Sequence, residues 1–131
     1  MPTGCRLILR GGAQISVLIC FLLVLAVLAK TAGAHAVLLT STPAAQSRVS
    51  GLKLQIKLQF NARVDNERSR LTLLHPDGTA ETLELYKQES PQFLVSEAKG
   101  LAAGGYRLRW QVLASDGHLT RGEIPFCVVQ S

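Results

Sequence analysis

At 131 residues the chain has room for one domain with a modest core and not for a second. Its 14 Lys and Arg against 9 Asp and Glu give a formal charge of +5, but Arg6, Arg10 and Lys30 lie within the first 34 residues, and residues 35–131 carry an excess of only two, too small to imply nucleic acid. Of three cysteines, Cys5 and Cys20 also lie in that segment, so Cys127 stands alone afterwards and no disulfide framework is expected.

Residues 1–34 read as a secretory signal peptide. Arg6 and Arg10 supply a positive start, Ile15 to Leu28 an apolar stretch, and Ala32-Gly33-Ala34 a small-residue cleavage site, which leaves His35 as the first residue of a 97-residue mature chain spanning 35–131. The apolar stretch is about 14 residues, short of the roughly 20 of a membrane-spanning helix. Lys30 closes it and no second hydrophobic segment comes after it, so the mature chain is expected not to insert stably in a membrane. An uncleaved anchor beginning as early as Ala13 is the alternative. Cys20 follows Val17-Leu18-Ile19, where the bulky Ile argues against a lipid-attachment site.

Beyond residue 35 the dominant period is two. Val37 to Thr40 is the first candidate strand. Leu52, Leu54, Ile56, Leu58 and Phe60 then alternate with Lys53, Gln55, Lys57 and Gln59, a half-buried strand with one wet side, as in an antiparallel sheet. Leu71 to Leu74 leads into the turn His75-Pro76-Asp77-Gly78. Thr82 to Tyr86 and Phe93 to Ser96 are the next two. Between Gly104-Gly105 and Asp116-Gly117, the residues Tyr106, Leu108, Trp110, Val112 and Ala114 define one face and Arg107, Arg109 and Gln111 the other. Ile124 to Val129 closes the set, and no amphipathic helix, repeat or low-complexity linker is evident. About seven short strands, each with one apolar face, need two packed sheets to bury those faces. The expected class is all-β, an immunoglobulin-like sandwich or Greek-key barrel, and Ser131 directly after the last strand suggests no tether to a further module.

After cleavage His35 would offer a primary amine and an imidazole that can close on one metal as a chelate. Asp116 and His118 flank Gly117, and in a locally extended segment their side chains would project to one side. Together these give three nitrogens and one carboxylate oxygen, a set able to lie in a square plane and suited to Cu(II) by tetragonal preference and by the Irving–Williams order. Zinc is the competitor. The plainer readings are an accidental terminal histidine and an Asp-Gly-His turn that is only a turn. His75, in His-Pro-Asp-Gly, reads as a hairpin residue and not a ligand. Blue-copper and Cu(I) thioether sites need methionine, and Met1 is the one methionine. Cys127, in the apolar run Phe126-Cys127-Val128-Val129, reads as a small structural hydrophobe. No Gly-x-Ser-x-Gly elbow supports a serine hydrolase.

Residues 35–43, His-Ala-Val-Leu-Leu-Thr-Ser-Thr-Pro, resemble the mature start of the copper-resistance CopC family of periplasmic proteins. Leu58-Gln59-Phe60-Asn61 is similar to that family's Leu-x-Phe-Ser segment. Residues 105–118, Gly-Tyr-Arg-Leu-Arg-Trp-Gln-Val-Leu-Ala-Ser-Asp-Gly-His, resemble its block ending in Asp-Gly-His, and Gly122 and Phe126 fall where the family closes its last strand. The resemblance implies a seven-stranded Greek-key barrel in the periplasm that carries Cu(II) on the terminal amine, His35, Asp116 and His118, with a CopD-type inner-membrane copper transporter as possible partner. The chain departs from the family pattern in three ways. Ala62 stands where an acidic residue is common, residues 75–99 lack the methionines of a Cu(I) loop, and no CopD-type segment is fused. The function expected is a non-enzymatic copper carrier or buffer in resistance or uptake. The alternatives are a histidine-brace copper redox enzyme and a sandwich interaction module with an incidental terminal histidine.

Overall fold

Alternating side chains pair into two sheets in the computed structural model, which describes residues 10–28 and 35–130. Backbone contacts divide the chain into two units, residues 1–33 and 34–131. In the first, α1 (Arg10–Leu28) covers the apolar stretch. Among the described residues no helix is long and apolar enough to cross a membrane. Arg6, Cys5, Lys30 and the Ala32-Gly33-Ala34 cleavage site lie outside the described residues.

The second unit has eight strands among its described residues: β1 (Leu38–Thr42), β2 (Ser47–Ser50), β3 (Lys53–Phe60), β4 (Val64–Leu74), β5 (Ala80–Leu83), β6 (Phe93–Lys99), β7 (Gly104–Ala114) and β8 (Leu119–Val129). One sheet has the order β1-β3-β6 and the other β2-β8-β7-β4-β5. All pairings are antiparallel except β2 with β8. The fold is thus the expected all-β sandwich, with eight strands where about seven were expected. The additional one is β2, whose sequence Ser-Arg-Val-Ser offers a single apolar side chain to an edge position and so carries almost no periodic signal.

The core lies between the sheets and is built by the inward phase of each strand: Ile56, Leu58 and Phe60 from β3, Leu71 and Leu73 from β4, and Tyr106, Leu108, Trp110, Val112 and Ala114 from β7. Phe60 meets Trp110 edge to face at 5.3 Å, which ties the end of β3 to the middle of β7. Trp110 in turn lies over Gly122, its register partner on β8; a Cβ there would sit 2.3 Å from indole Cζ2. Glycine at 122 is therefore a packing requirement. Every core residue lies between Ala36 and Val128, so the sandwich carries a complete core of its own.

Two side chains depart from expectation. Leu52 precedes β3 and is 78% exposed, because pairing with β6 starts at Lys53. Cys127 is exposed and not a buried hydrophobe. Ile124, Phe126 and Val128 take the inward phase of β8, and in a run that is apolar on both phases residue type does not reveal which side faces the core.

Candidate metal centre

The hairpin joining β7 to β8 reverses the chain over Ala114 to His118. Gly117 N–H donates to the Ala114 carbonyl at 2.9 Å and Ala114 N–H to the His118 carbonyl at 3.0 Å. Gly117 takes a φ of 83°, open to glycine at little cost. The segment is thus a tight turn and not the locally extended stretch expected from sequence. The turn itself brings the side chains together, since Asp116 Oδ1 accepts from the His118 N–H at 3.0 Å in an Asx-type bond. Ser115 N–H, bonded to the Arg63 carbonyl at 3.2 Å, anchors the turn to the start of β4.

His35 reaches this turn from the other sheet. Ala36, 1% exposed, is sunk in the core. Val37 N–H donates to Asn61 Oδ1 at 2.7 Å, and Asn61 N–H returns a bond to the Val37 carbonyl at 3.0 Å. This two-way clasp at the end of β3 sets the direction in which the chain enters. Residue order alone assigns Asn61 no role of its own; an amide directly after the last inward residue of a strand is the signal that could have found it.

The cluster that results is His35, Asp116 and His118, with one donor atom from each within 4.8 Å of the others. His118 Nδ1 lies 2.8 Å from Asp116 Oδ2 and His35 Nδ1 lies 3.8 Å from the same oxygen. The imidazoles stand nearly perpendicular, with centroids 4.8 Å apart. Asp116 forms the base of the cluster at 16% side-chain exposure, while His35 and His118 are 70% and 64% exposed. The Asp116 carboxyl is held below its ordinary value, chiefly by the His118 backbone N–H, with further help from the His118 ring and the charges of both imidazoles against the opposing effect of desolvation. It is therefore an anion throughout the neutral range, facing two exposed nitrogen bases.

The other sequence candidates lie elsewhere. His75 opens the β4–β5 turn, with its Nε2 2.8 Å from Glu81 Oε2 and its ring 5.4 Å from that of Tyr106, the hairpin role expected. Cys127 is eight residues along β8 from Leu119, roughly 27 Å at strand rise, beyond reach of an ion at the cluster. Ala62, beside Asn61, offers no carboxylate, and Asp116 is the one acid of the cluster.

Fold and cluster together define a two-sheet β-sandwich that displays nitrogen and carboxylate donors at one end. Residues 38–129 match the CopC domain, and the chain belongs to that family. Asp116 and His118 fall inside the matched region and His35 three residues ahead of it. The chain is 29% identical over 113 residues to the copper transport protein CutJ of Bacillus subtilis (strain 168), covering 84% of this chain but only 21% of the relative's length. Among solved structures, CopC from Methylosinus trichosporium OB3b is similar with a TM-score of 0.66 and 29% identity, over 73% of this chain and 95% of that one. PcoC from Escherichia coli, described as a methionine-rich copper resistance protein, gives 0.60 and 28%, over 73% of this chain and all of that one.

Proposed function

We propose that this protein is a periplasmic Cu(II) carrier or buffer that binds one ion through the amine and imidazole of His35, Asp116 and His118 after residues 1–34 have been removed. The observation that carries the reading is the convergence of His35, Asp116 and His118 donors within 4.8 Å across two sheets. The donor chemistry fits. Two imidazoles, one ionised carboxylate and an amine are borderline to hard ligands, and no thiolate or thioether stands in the cluster to select Cu(I). The names of the relatives, a copper transport protein and a copper resistance protein, point the same way.

Cleavage supplies the fourth donor. In the full chain the His35 nitrogen is an amide and has no ready lone pair; after cleavage it is an amine one chelate ring from its own imidazole. Parallel Cu(II) titrations of the form beginning at His35 and of a form extended by one residue test this. The extended form is expected to bind far more weakly, and equal affinities would overturn the chelate.

The reading is non-enzymatic, because the Asp116 carboxylate within the cluster would, with an ion bound, fill a position that an oxygen-activating site needs open. Sustained ascorbate-driven peroxide formation by the copper-loaded protein would contradict it. A CopD-type membrane transporter is the proposed exchange partner.

A further inference from the structure

The outward phase of the five-stranded sheet carries five arginines, Arg48, Arg70, Arg107, Arg109 and Arg121, and two acids, Glu123 at its centre and Asp65 opposite Leu113 at the end of β4, where Arg68 lies 3.8 Å from its carboxylate. The four lysines of residues 35–131 are all elsewhere. Lys53 and Lys99 share Glu97 at 3.0 and 3.2 Å, and Lys57 sits over the Phe93 ring at 4.5 Å. The positive excess of the mature chain is thus concentrated on one face, and entirely as guanidinium.

That face is organised. Register places Arg70, Gln111 and Arg121 in one row across β4, β7 and β8, and Thr72, Arg109 and Glu123 in the next. Glu123 accepts from Arg109 Nε at 3.0 Å and Arg107 Nη1 at 3.3 Å, and Gln111 Oε1 accepts from Arg121 Nε at 2.9 Å. Those arginines are held in place with donors to spare. Arg70 has no carboxylate partner among the described residues, and it stands two strand spacings from Arg121, about 10 Å. Between them runs an open groove of about 620 Å³ floored by Trp110 and Gly122. The row lies two residues, about 7 Å, from the Leu113–Leu119 pair that borders the Asp116–His118 turn. Leu119 is 53% exposed and shares the outward phase of Arg121.

We propose that this face, from Leu119 through Arg121 and Arg70 to Arg109, is the docking surface for an acidic segment of a partner protein. Planar guanidinium forks match discrete carboxylates in bidentate pairs, whereas an anionic lipid surface is served equally by lysine, and lysine is absent from the face. A recessed groove suits a chain segment better than a plane of headgroups. Glu123 at its centre would be repelled by a continuous anionic surface but can sit between separate carboxylates. Docking here leaves the exposed imidazoles of the cluster at the rim of the contact. The inference rests on the copper reading only in that the partner would be one that exchanges the ion.

The test is an NMR titration of the exported, processed protein with deca-glutamate, with inorganic phosphate and with vesicles of one part phosphatidylglycerol to three parts phosphatidylethanolamine, at low ionic strength. Deca-glutamate is expected to shift amides of β4, β7 and β8 and the Nε signals of Arg70 and Arg121, with affinity falling as salt is added. The double change Arg70→Glu with Arg121→Glu should weaken it by at least about tenfold, the milder Arg70→Gln with Arg121→Gln less so, and Lys53→Glu with Lys57→Glu not at all. Shifts spread equally over the lysine-bearing sheet, charge-reversed protein that binds as wild type, phosphate that reproduces the footprint at equal affinity, or vesicles that bind where the peptide does not would each overturn the proposal. Cu(II) affinity is measured on the same samples and should be unchanged by the arginine variants. Retained copper binding without a peptide footprint overturns the docking surface alone, and a footprint without copper binding overturns the copper reading alone.

Discussion

The clasp between Val37 and Asn61 converts a packing feature into a binding constant, and Asn61→Ala isolates it. The substitution removes the 2.7 Å bond from Val37 N–H to Oδ1 but leaves the return bond from Asn61 N–H to the Val37 carbonyl, at 3.0 Å, because that one is backbone. A hydrogen bond of this kind contributes about 0.5–1.5 kcal/mol net, and Val37 is exposed, so water can replace the lost acceptor and the lower half of that range applies. Ala36 stays buried and keeps the chain attached. His35, two residues ahead of the lost bond, gains freedom that copper must then restrain. The expected result is a Cu(II) affinity about 2- to 5-fold weaker, with the thermal midpoint lowered by a few degrees and the copper spectrum intact, because no ligand has been removed. Competition titration against a chelator of known affinity measures the first quantity. Hydrogen exchange at the Val37 amide, expected to accelerate, confirms the lesion. Asn61→Asp keeps the acceptor and should keep the slow exchange. A loss of 100-fold or more, or an altered copper spectrum, would refute the reasoning by making Asn61 a ligand; faster Val37 exchange with unchanged affinity would show that Ala36 alone orients the terminus.

The same geometry sets the remaining expectations. His118→Ala should weaken Cu(II) binding by at least about 100-fold, more than loss of a supporting group costs, and change the copper spectrum, whereas His75→Ala, which loses only its Glu81 and Tyr106 contacts, should do neither; equal damage would displace His118 from the ligand set. Gly122→Ala drives a Cβ to 2.3 Å from Trp110, an overpacking worth about 1–3 kcal/mol and a fall of several to about 20 °C in Tm, so an unchanged midpoint would mean the indole moves freely. Copper affinity should rise from about pH 5 to 8 with release of protons, because free imidazole titrates at about 6.5 and a terminal amine at about 7.7–8.0. Asp116, held below the ordinary carboxylate value, adds nothing to that slope; calorimetry in buffers of different ionisation enthalpy counts the protons, and a flat profile would exclude an amine and imidazole site. Glu97 and Glu123 are held low chiefly by hydrogen bonds from Lys53 and Arg109, so on acidification the unfolded chain takes up protons first. Their stabilisation is full above the ordinary carboxylate range and is lost as pH falls through the lowered folded values. Thermal melts from pH 7 to 2 should show that decline, and Glu97→Gln should flatten it.

Much of this could be read from residue order because the informative patterns are local. Period two in residues 53–60 and 106–114 needs no partner to be recognised, and its inward residues are the buried ones of β3 and β7. The Asp-Gly-His triplet is likewise local, since its Asx bond joins residues two apart, although the backbone there is a tight turn and not the extended stretch expected. Two things lay beyond the sequence, and a third, the meeting of His35 with Asp116, was expected only from donor types and the family resemblance; each depends on long-range pairing. The phase of β8, which turns Cys127 outward, is imposed by the opposite sheet and not by an apolar run that looks the same on both sides. The strand β2 exists because Ser47–Ser50 finds β8 as a parallel partner, about 80 residues away in the chain. His35 and Asp116 are likewise 81 positions apart, and their side chains meet only because a buried Ala36 and the Asn61 clasp aim the start of one sheet at the hairpin of the other. The donor types were legible from the sequence; their convergence is a property of how the two sheets pack.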